Sequence, residues 1–197
     1  MPVNNYFFLI LFWGIYFLFH SLLASDKVKE RLSFVGKYYR VCYNLIATGG
    51  LLFILFYAAL IPPIKFYETT DLTKFLSLIP ATYGILVIKS AFRIYSLREF
   101  IGINQLKDSD SMEEFKKEGI LKKVRHPLYS GSILILLGFI IFSPSLGNFI
   151  NFTCILIYIF IGIKLEEKKL VKIYGQKYAE YKTKVPMLIP KLNFKNR

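Results

Sequence analysis

Two short stretches hold the residues best suited to chemistry. One is Arg125-His126-Pro127-Leu128-Tyr129-Ser130-Gly131, at the start of a long uncharged run. The other is Glu166-Glu167, just past its end. Pro127 suits a first helical position, where its missing N–H would go unbonded anyway. A helix start offers backbone N–H groups and partial positive charge, so it can hold a ligand carboxylate. Gly131 would let a ligand approach the backbone closely. The plain alternative is a basic interfacial anchor with a helix cap. If the helix carrying Glu167 continues past Ile163, then Leu170, Val171, Tyr174, Tyr178 and Tyr181 project within about 60° of it. Glu166 points about 100° away. Gly175 can break the helix, so the alignment is secure only to Tyr174. A carboxylate facing an apolar, aromatic stripe needs a cation or hydrogen bonds. That partner is either a Lys or Arg from a neighbouring segment or a cationic ligand, and Glu167 is expected to outweigh Glu166 in holding such a ligand. Arg125 and His126 are successive, and a helical step of about 100° would send them different ways; Arg125, a fixed cation, could orient a carboxylate acceptor or stabilise a thiolate.

The elements that position these residues are apolar and blocky. The chain has 197 residues, a formal net charge of +13 and 54% hydrophobic residues. Residues 1–25, 41–64 and 128–163 carry no Asp, Glu, Lys or Arg. Such runs read as membrane spans, which excludes a soluble globular domain and general disorder. The predicted fold is an all-α polytopic membrane helix bundle forming a single domain, 1–197. Its five spans are expected at 6–24, 41–61, 75–97, 128–143 and 148–164. A short amphipathic stretch precedes the second span, and cytoplasmic segments at 98–127 and 165–197 flank the last two. Pro62-Pro63 stops the second helix, and Ser143-Pro144-Ser145-Leu146-Gly147-Asn148 turns a hairpin. A signal peptide would want a basic start, which residues 1–5 lack. Lys and Arg number five in 26–40, seven in 98–127 and ten in 164–197, against two in 62–74. That alternation puts the N-terminus outside and the C-terminus in the cytoplasm, fitting a bacterial inner membrane.

The positive charge does not point to nucleic acid, because no nucleic-acid motif accompanies it and basic flanks of membrane spans account for it. Cys42 and Cys154 give no disulfide framework, and two histidines make a His-rich metal site improbable. No Gly-x-Gly-x-x-Gly or βαβ pattern occurs, which excludes a Rossmann-type nucleotide site. No obligate protein partner is evident.

Arg-His-Pro-x-Tyr-x-Gly before one helix and Glu-Glu after the next resembles the isoprenylcysteine carboxyl methyltransferase type of membrane methyltransferase. Phospholipid N-methyltransferases share the pattern more loosely. Tyr174-Gly175-Gln176-Lys177-Tyr178-Ala179-Glu180-Tyr181 and residues 186–190 match the same family's C-terminal region, so the resemblance covers about residues 99–190. His20-Ser21-Leu22-Leu23-Ala24-Ser25 and Tyr39-Arg40-Val41-Cys42-Tyr43-Asn44 look like small bacterial relatives, including methanethiol S-methyltransferases. The resemblance implies S-adenosylmethionine (SAM) as methyl donor. It places Gln105, His126, Pro127, Tyr129, Gly131, Glu166 and Glu167 at the donor, Arg125 as the catalytic cation, and His20, Arg40 and Tyr43 at the acceptor. The acceptor would be a small thiol or a lipidic molecule reached from the bilayer, with a prenylcysteine-like carboxylate among the possibilities. The alternatives are methylation of a phospholipid amine and a non-catalytic membrane scaffold or sensor that keeps the fold.

Overall fold

The computed structural model describes residues 2–97, 101 and 115–191. The architecture is all-helical, and the described residues contain one isolated bridge, Lys65 to Ser145, and no strand. Their α-helices are α1 (Pro2–Ala24), α2 (Asp26–Arg31), α3 (Tyr39–Leu60), α4 (Asp71–Phe92), α5 (Pro127–Phe142), α6 (Leu146–Tyr174) and α7 (Gln176–Lys184), with 3-10 turns at Ser33–Tyr38 and Gly119–Lys122. Helices α1, α3, α4 and α6 are long and apolar enough to cross a membrane, and α5 is apolar but shorter. Large apolar side chains stand on their outer faces, including Phe7 (63% exposed), Phe56 (65%) and Phe75 (67%). Such faces suit lipid rather than water.

Helix limits depart from the expected spans where local chemistry outweighs the apolar pattern. The third span was expected at 75–97, but α4 runs from Asp71 to Phe92. Its start is set by Thr70, whose hydroxyl accepts the Thr73 N–H at 3.2 Å, and its end by Arg93 at the C-cap. Helix α5 ends at Phe142, one residue short of the expected 143, so its 16 residues reach about 24 Å. Helix α6 is far longer than the expected 148–164. Its 29 residues reach about 43 Å, which exceeds a hydrocarbon core of about 30 Å. Its last turns therefore carry Glu166 and Glu167 beyond the apolar stretch.

The described residues form two compact units. The first comprises 2–68, 95–97, 101 and 143–154. Here α1 runs antiparallel to α3, with Phe12 edge-on to Phe53 and Tyr57 at centroid distances of 5.6 and 4.9 Å. Trp13, 1% exposed, stacks on Phe17 and donates its indole N–H to the Asn151 amide oxygen at 2.8 Å. That bond satisfies two polar groups at once in an apolar setting. The Tyr6 hydroxyl donates to the Pro62 carbonyl at 3.1 Å. Backbone bonds from Phe66 to Pro144 and from Leu146 to Ile64, each 2.9 Å, tie this loop to the hairpin turn.

The second unit comprises 69–94, 115–142 and 155–191. Helices α4 and α5 meet across small residues. A Cβ added to Gly84 would lie 2.5 Å from the Gly131 carbonyl oxygen, and one added to Gly138 would lie 2.7 Å from the Ser77 carbonyl oxygen. Close backbone approach through small residues is how helices associate where the hydrophobic effect gives no drive. Phe115, Tyr174, Tyr178 and Tyr181 form an aromatic cluster, with Phe115 at 5.1 to 5.7 Å from the three tyrosine rings.

Candidate active site

Residues 124–126 lie in non-helical backbone between the Gly119–Lys122 turn and the start of α5. Their main chain pairs with the segment after α7. Arg125 N–H donates to the Pro186 carbonyl at 2.9 Å and His126 N–H to that of Met187 at 3.1 Å. The Ser130 hydroxyl donates to the Leu188 carbonyl at 2.7 Å. The return path depends on Gly175, whose φ of 57° suits glycine alone among common residues. It ends α6 and starts α7, which brings Tyr178, Tyr181 and Lys182 back beside the same cluster.

Glu167 is the hub. It is buried at 7% side-chain exposure, and Arg125 at 8% lies against it. Arg125 Nε donates to Glu167 Oε1 at 2.8 Å, and its Nη2 lies 2.7 Å from the same oxygen. Lys182 Nζ lies 2.7 Å from Oε2, and His126 Nε2 lies 3.2 Å from Oε1. Arg125 Nη1 also donates to the carbonyls of Lys182, at 2.9 Å, and Val185. The sequence left two partners open for this carboxylate, and in this structure it is the internal cations that hold it. Glu166 differs. Its side chain is 45% exposed, and its Oε2 lies 3.7 Å from His126 Nδ1.

The expected divergence of Arg125 and His126 is overturned, since both reach Glu167 Oε1. The physical reason is their backbone. A helical step applies only inside a helix, and these residues precede α5. The expected reach of a ligand to Gly131 is also corrected. A Cβ there would meet Ile88 Cγ1 at 2.5 Å and the Gly84 carbonyl oxygen at 2.7 Å, so its open side faces α4. Pro127 is fully buried. Tyr129 is half-buried, with its ring 5.7 Å from that of His126. Val171, projected beside Glu167, is exposed instead. Gln105 lies outside the described residues. In the first unit the structure brings His20 and Tyr43 together, with Nε2 and the hydroxyl 2.8 Å apart, while Arg40 is exposed.

Sequence reasoning did not single out Lys182, Ser130 or the carbonyls of residues 185–188. Only the tertiary return of α7 identifies them. Tyr178 carried a signal in its motif. It is 2% exposed, and its hydroxyl has no hydrogen-bond partner among the described residues, an uncommon state for a buried polar atom. Burial first, and the negative charge of Glu167 after it, push the Tyr178 phenol up. Burial pushes that of Tyr181 up to about 12. Both hydroxyls thus keep their protons at neutral pH and can donate. Tyr181 does so to the Leu121 carbonyl at 2.6 Å.

Arg125, His126, Ser130, Glu166 and Glu167 lie within residues 79–177, which match the phospholipid methyltransferase family, and the groups from Tyr178 to Leu188 follow directly after that match. The match covers half of the chain, and the chain belongs to that family, whose members are integral membrane methyltransferases. It is also similar to Methanethiol S-methyltransferase 1 of Bradyrhizobium diazoefficiens, 31% identical over 190 residues that make up 92% of this chain and 65% of that protein. Methanethiol S-methyltransferase of Crocosphaera subtropica is 38% identical over 99 residues, 50% of this chain and 38% of that protein. The enzyme of that name from Pseudomonas deceptionensis is 32% identical over 106 residues, covering 52% and 38%. The chain thus spans between about two fifths and just under two thirds of these relatives' lengths. No solved structure matches it.

Proposed function

We propose that this chain is a SAM-dependent methyltransferase acting on a small thiol, with its donor-binding groups on the cytoplasmic side. The observation that carries the reading is the gathering of Arg125, His126, Glu166 and Glu167 by a segment that matches a methyltransferase family. The thiol comes from the names of the relatives. The donor is a cation with a zwitterionic amino-acid end, and the residues present fit it. A half-exposed carboxylate, Glu166, stands beside His126, and the buried Tyr178 hydroxyl lacks a partner among the described residues. His126, Tyr129, Glu166 and Tyr178 would hold the donor, which when bound supplies a methyl group already activated on a sulfonium.

The chain's own task is then positioning. In-line transfer needs reacting atoms about 3–3.5 Å apart, and Arg125 acts as a positioning residue. Its guanidinium clips the 182–187 segment to the start of α5 and holds Glu167, so its charge is already spent. Glu166 keeps the freedom to face a ligand, which reverses the ranking expected from the helical projection. Methylation of a phospholipid amine is the second reading, favoured by the description of the matched family.

Donor binding tests this assignment. Glu166→Gln removes a charge while keeping the shape. For a half-exposed carboxylate the loss is about tenfold in SAM affinity by calorimetry in detergent micelles. Tyr178→Phe is expected to weaken SAM by a few-fold without lowering stability, because no protein partner loses a bond. Unchanged SAM affinity in both variants, with the fold intact, would sink the donor-side assignment.

A further inference from the structure

The first unit contains a cavity of about 250 Å³ between α1 and α3. We propose that it binds the chain of a single-chain lipid with an uncharged, hydrogen-bonding head. This goes beyond methyl transfer, because binding here neither requires nor implies turnover.

Three observations carry the inference. The first is size. Apolar cavities of about 150 Å³ already take up benzene, and this one is larger. The second is shape. Its lining runs from Leu23 to Phe12 on α1 and from Tyr43 to Ile54 on α3, eleven helical steps on each helix and about 16 Å of length. A void that long and narrow suits an extended hydrocarbon chain. The third is chemistry. The lining has no Asp, Glu, Lys or Arg; besides Tyr16 along its length, its polar side chains are the His20–Tyr43 pair at one end, 2.8 Å apart. His20 sits four residues before the end of α1, and Tyr43 four residues after the start of α3. The pair therefore lies about 6 Å inside the helix ends, at the depth of a lipid's polar boundary. Imidazole and phenol together offer donor and acceptor capacity without a formal charge, so a hydroxyl-type head fits and a phosphate or carboxylate does not. Ile15, Phe19, Ile46 and Phe53 line the void and are also exposed on the helix faces. The surrounding bilayer thus supplies the occupant directly.

The protein carries its own reporter. Trp13 is the single tryptophan, and its ring lies edge-on to that of Tyr16, at 5.8 Å, which lines the void. Titration of the full chain in nanodiscs with ω-bromoundecanol should quench Trp13 emission saturably, since bromine quenches indole at close range. Ala47→Phe fills the void and should abolish the saturable component. Tyr43→Phe, which changes no volume, should weaken it about five-fold, the value of one neutral hydrogen bond. Circular dichroism and the unfolding midpoint establish that each variant is folded. The inference is overturned if quenching rises linearly and equally in wild type and Ala47→Phe, which is partitioning into bilayer alone. It is also overturned if ω-bromoundecanoate binds more tightly than the alcohol. Loss of methyl transfer would leave either outcome unaffected.

Discussion

Glu167→Gln is expected to destabilise the second unit by about 3–5 kcal/mol, because breaking a buried ion pair strands the surviving charge. Arg125, with 8% of its side chain exposed, would keep a guanidinium with nothing to neutralise it. Lys182 is 48% exposed and can turn to solvent, so its share of the loss is small. The damage should centre on the segment tied to Arg125, from Lys182 to Pro186. Two measurements check this: the unfolding midpoint in micelles, and trypsin cleavage after Lys182 and Lys184. Replacing both partners, as in Arg125→Met with Glu167→Leu, should recover much of the loss, since paired apolar groups carry no stranded charge. A Glu167→Gln protein as stable and as resistant as wild type would show that the ion cluster does not hold this segment.

Gly84→Val is the second large effect. The added Cβ would lie 2.5 Å from the Gly131 carbonyl oxygen and 3.1 Å from the Ile135 nitrogen. Overpacking ordinarily costs about 1–3 kcal/mol. Here backbone stands in the way, and backbone cannot rotate aside as a side chain can, so the cost is expected at or above the top of that range. Helices α4 and α5 must separate, which moves the start of α5 away from its partners. Gly49→Ala is the control, because a Cβ there meets nothing within 4 Å, and removing a glycine from a helix stabilises by about 0.4–1 kcal/mol. Equal unfolding midpoints for the two variants would contradict the close-packed account of this crossing.

The helices and the burial of Glu167 were legible in the sequence, and the reason is locality. Apolar runs set α1, α3 and α6. Continuity of α6 past Ile163 buried Glu167 and left Glu166 exposed, as a period of about 3.6 residues requires. What failed was non-local or non-helical. Gly131 looked open because its neighbour Gly84 sits on another helix. Arg125 and His126 were projected with helical geometry, although their backbone is non-helical and bonds to the carbonyls of residues 186 and 187. Lys182 carried no signal, since only the turn at Gly175 brings α7 back onto α6. The Thr70 cap, a short polar signal before an apolar run, was readable and would have placed the start of α4.

Turnover tests the proposed methyl transfer from SAM to a thiol. Membranes carrying the full chain are supplied with methyl-labelled SAM and, in parallel, methanethiol, prenylcysteine or phosphatidylethanolamine. Labelled dimethyl sulfide is expected from methanethiol, with little label in the other two. Label appearing in phospholipid instead, or in none of the three while the folded protein still binds SAM, would contradict it.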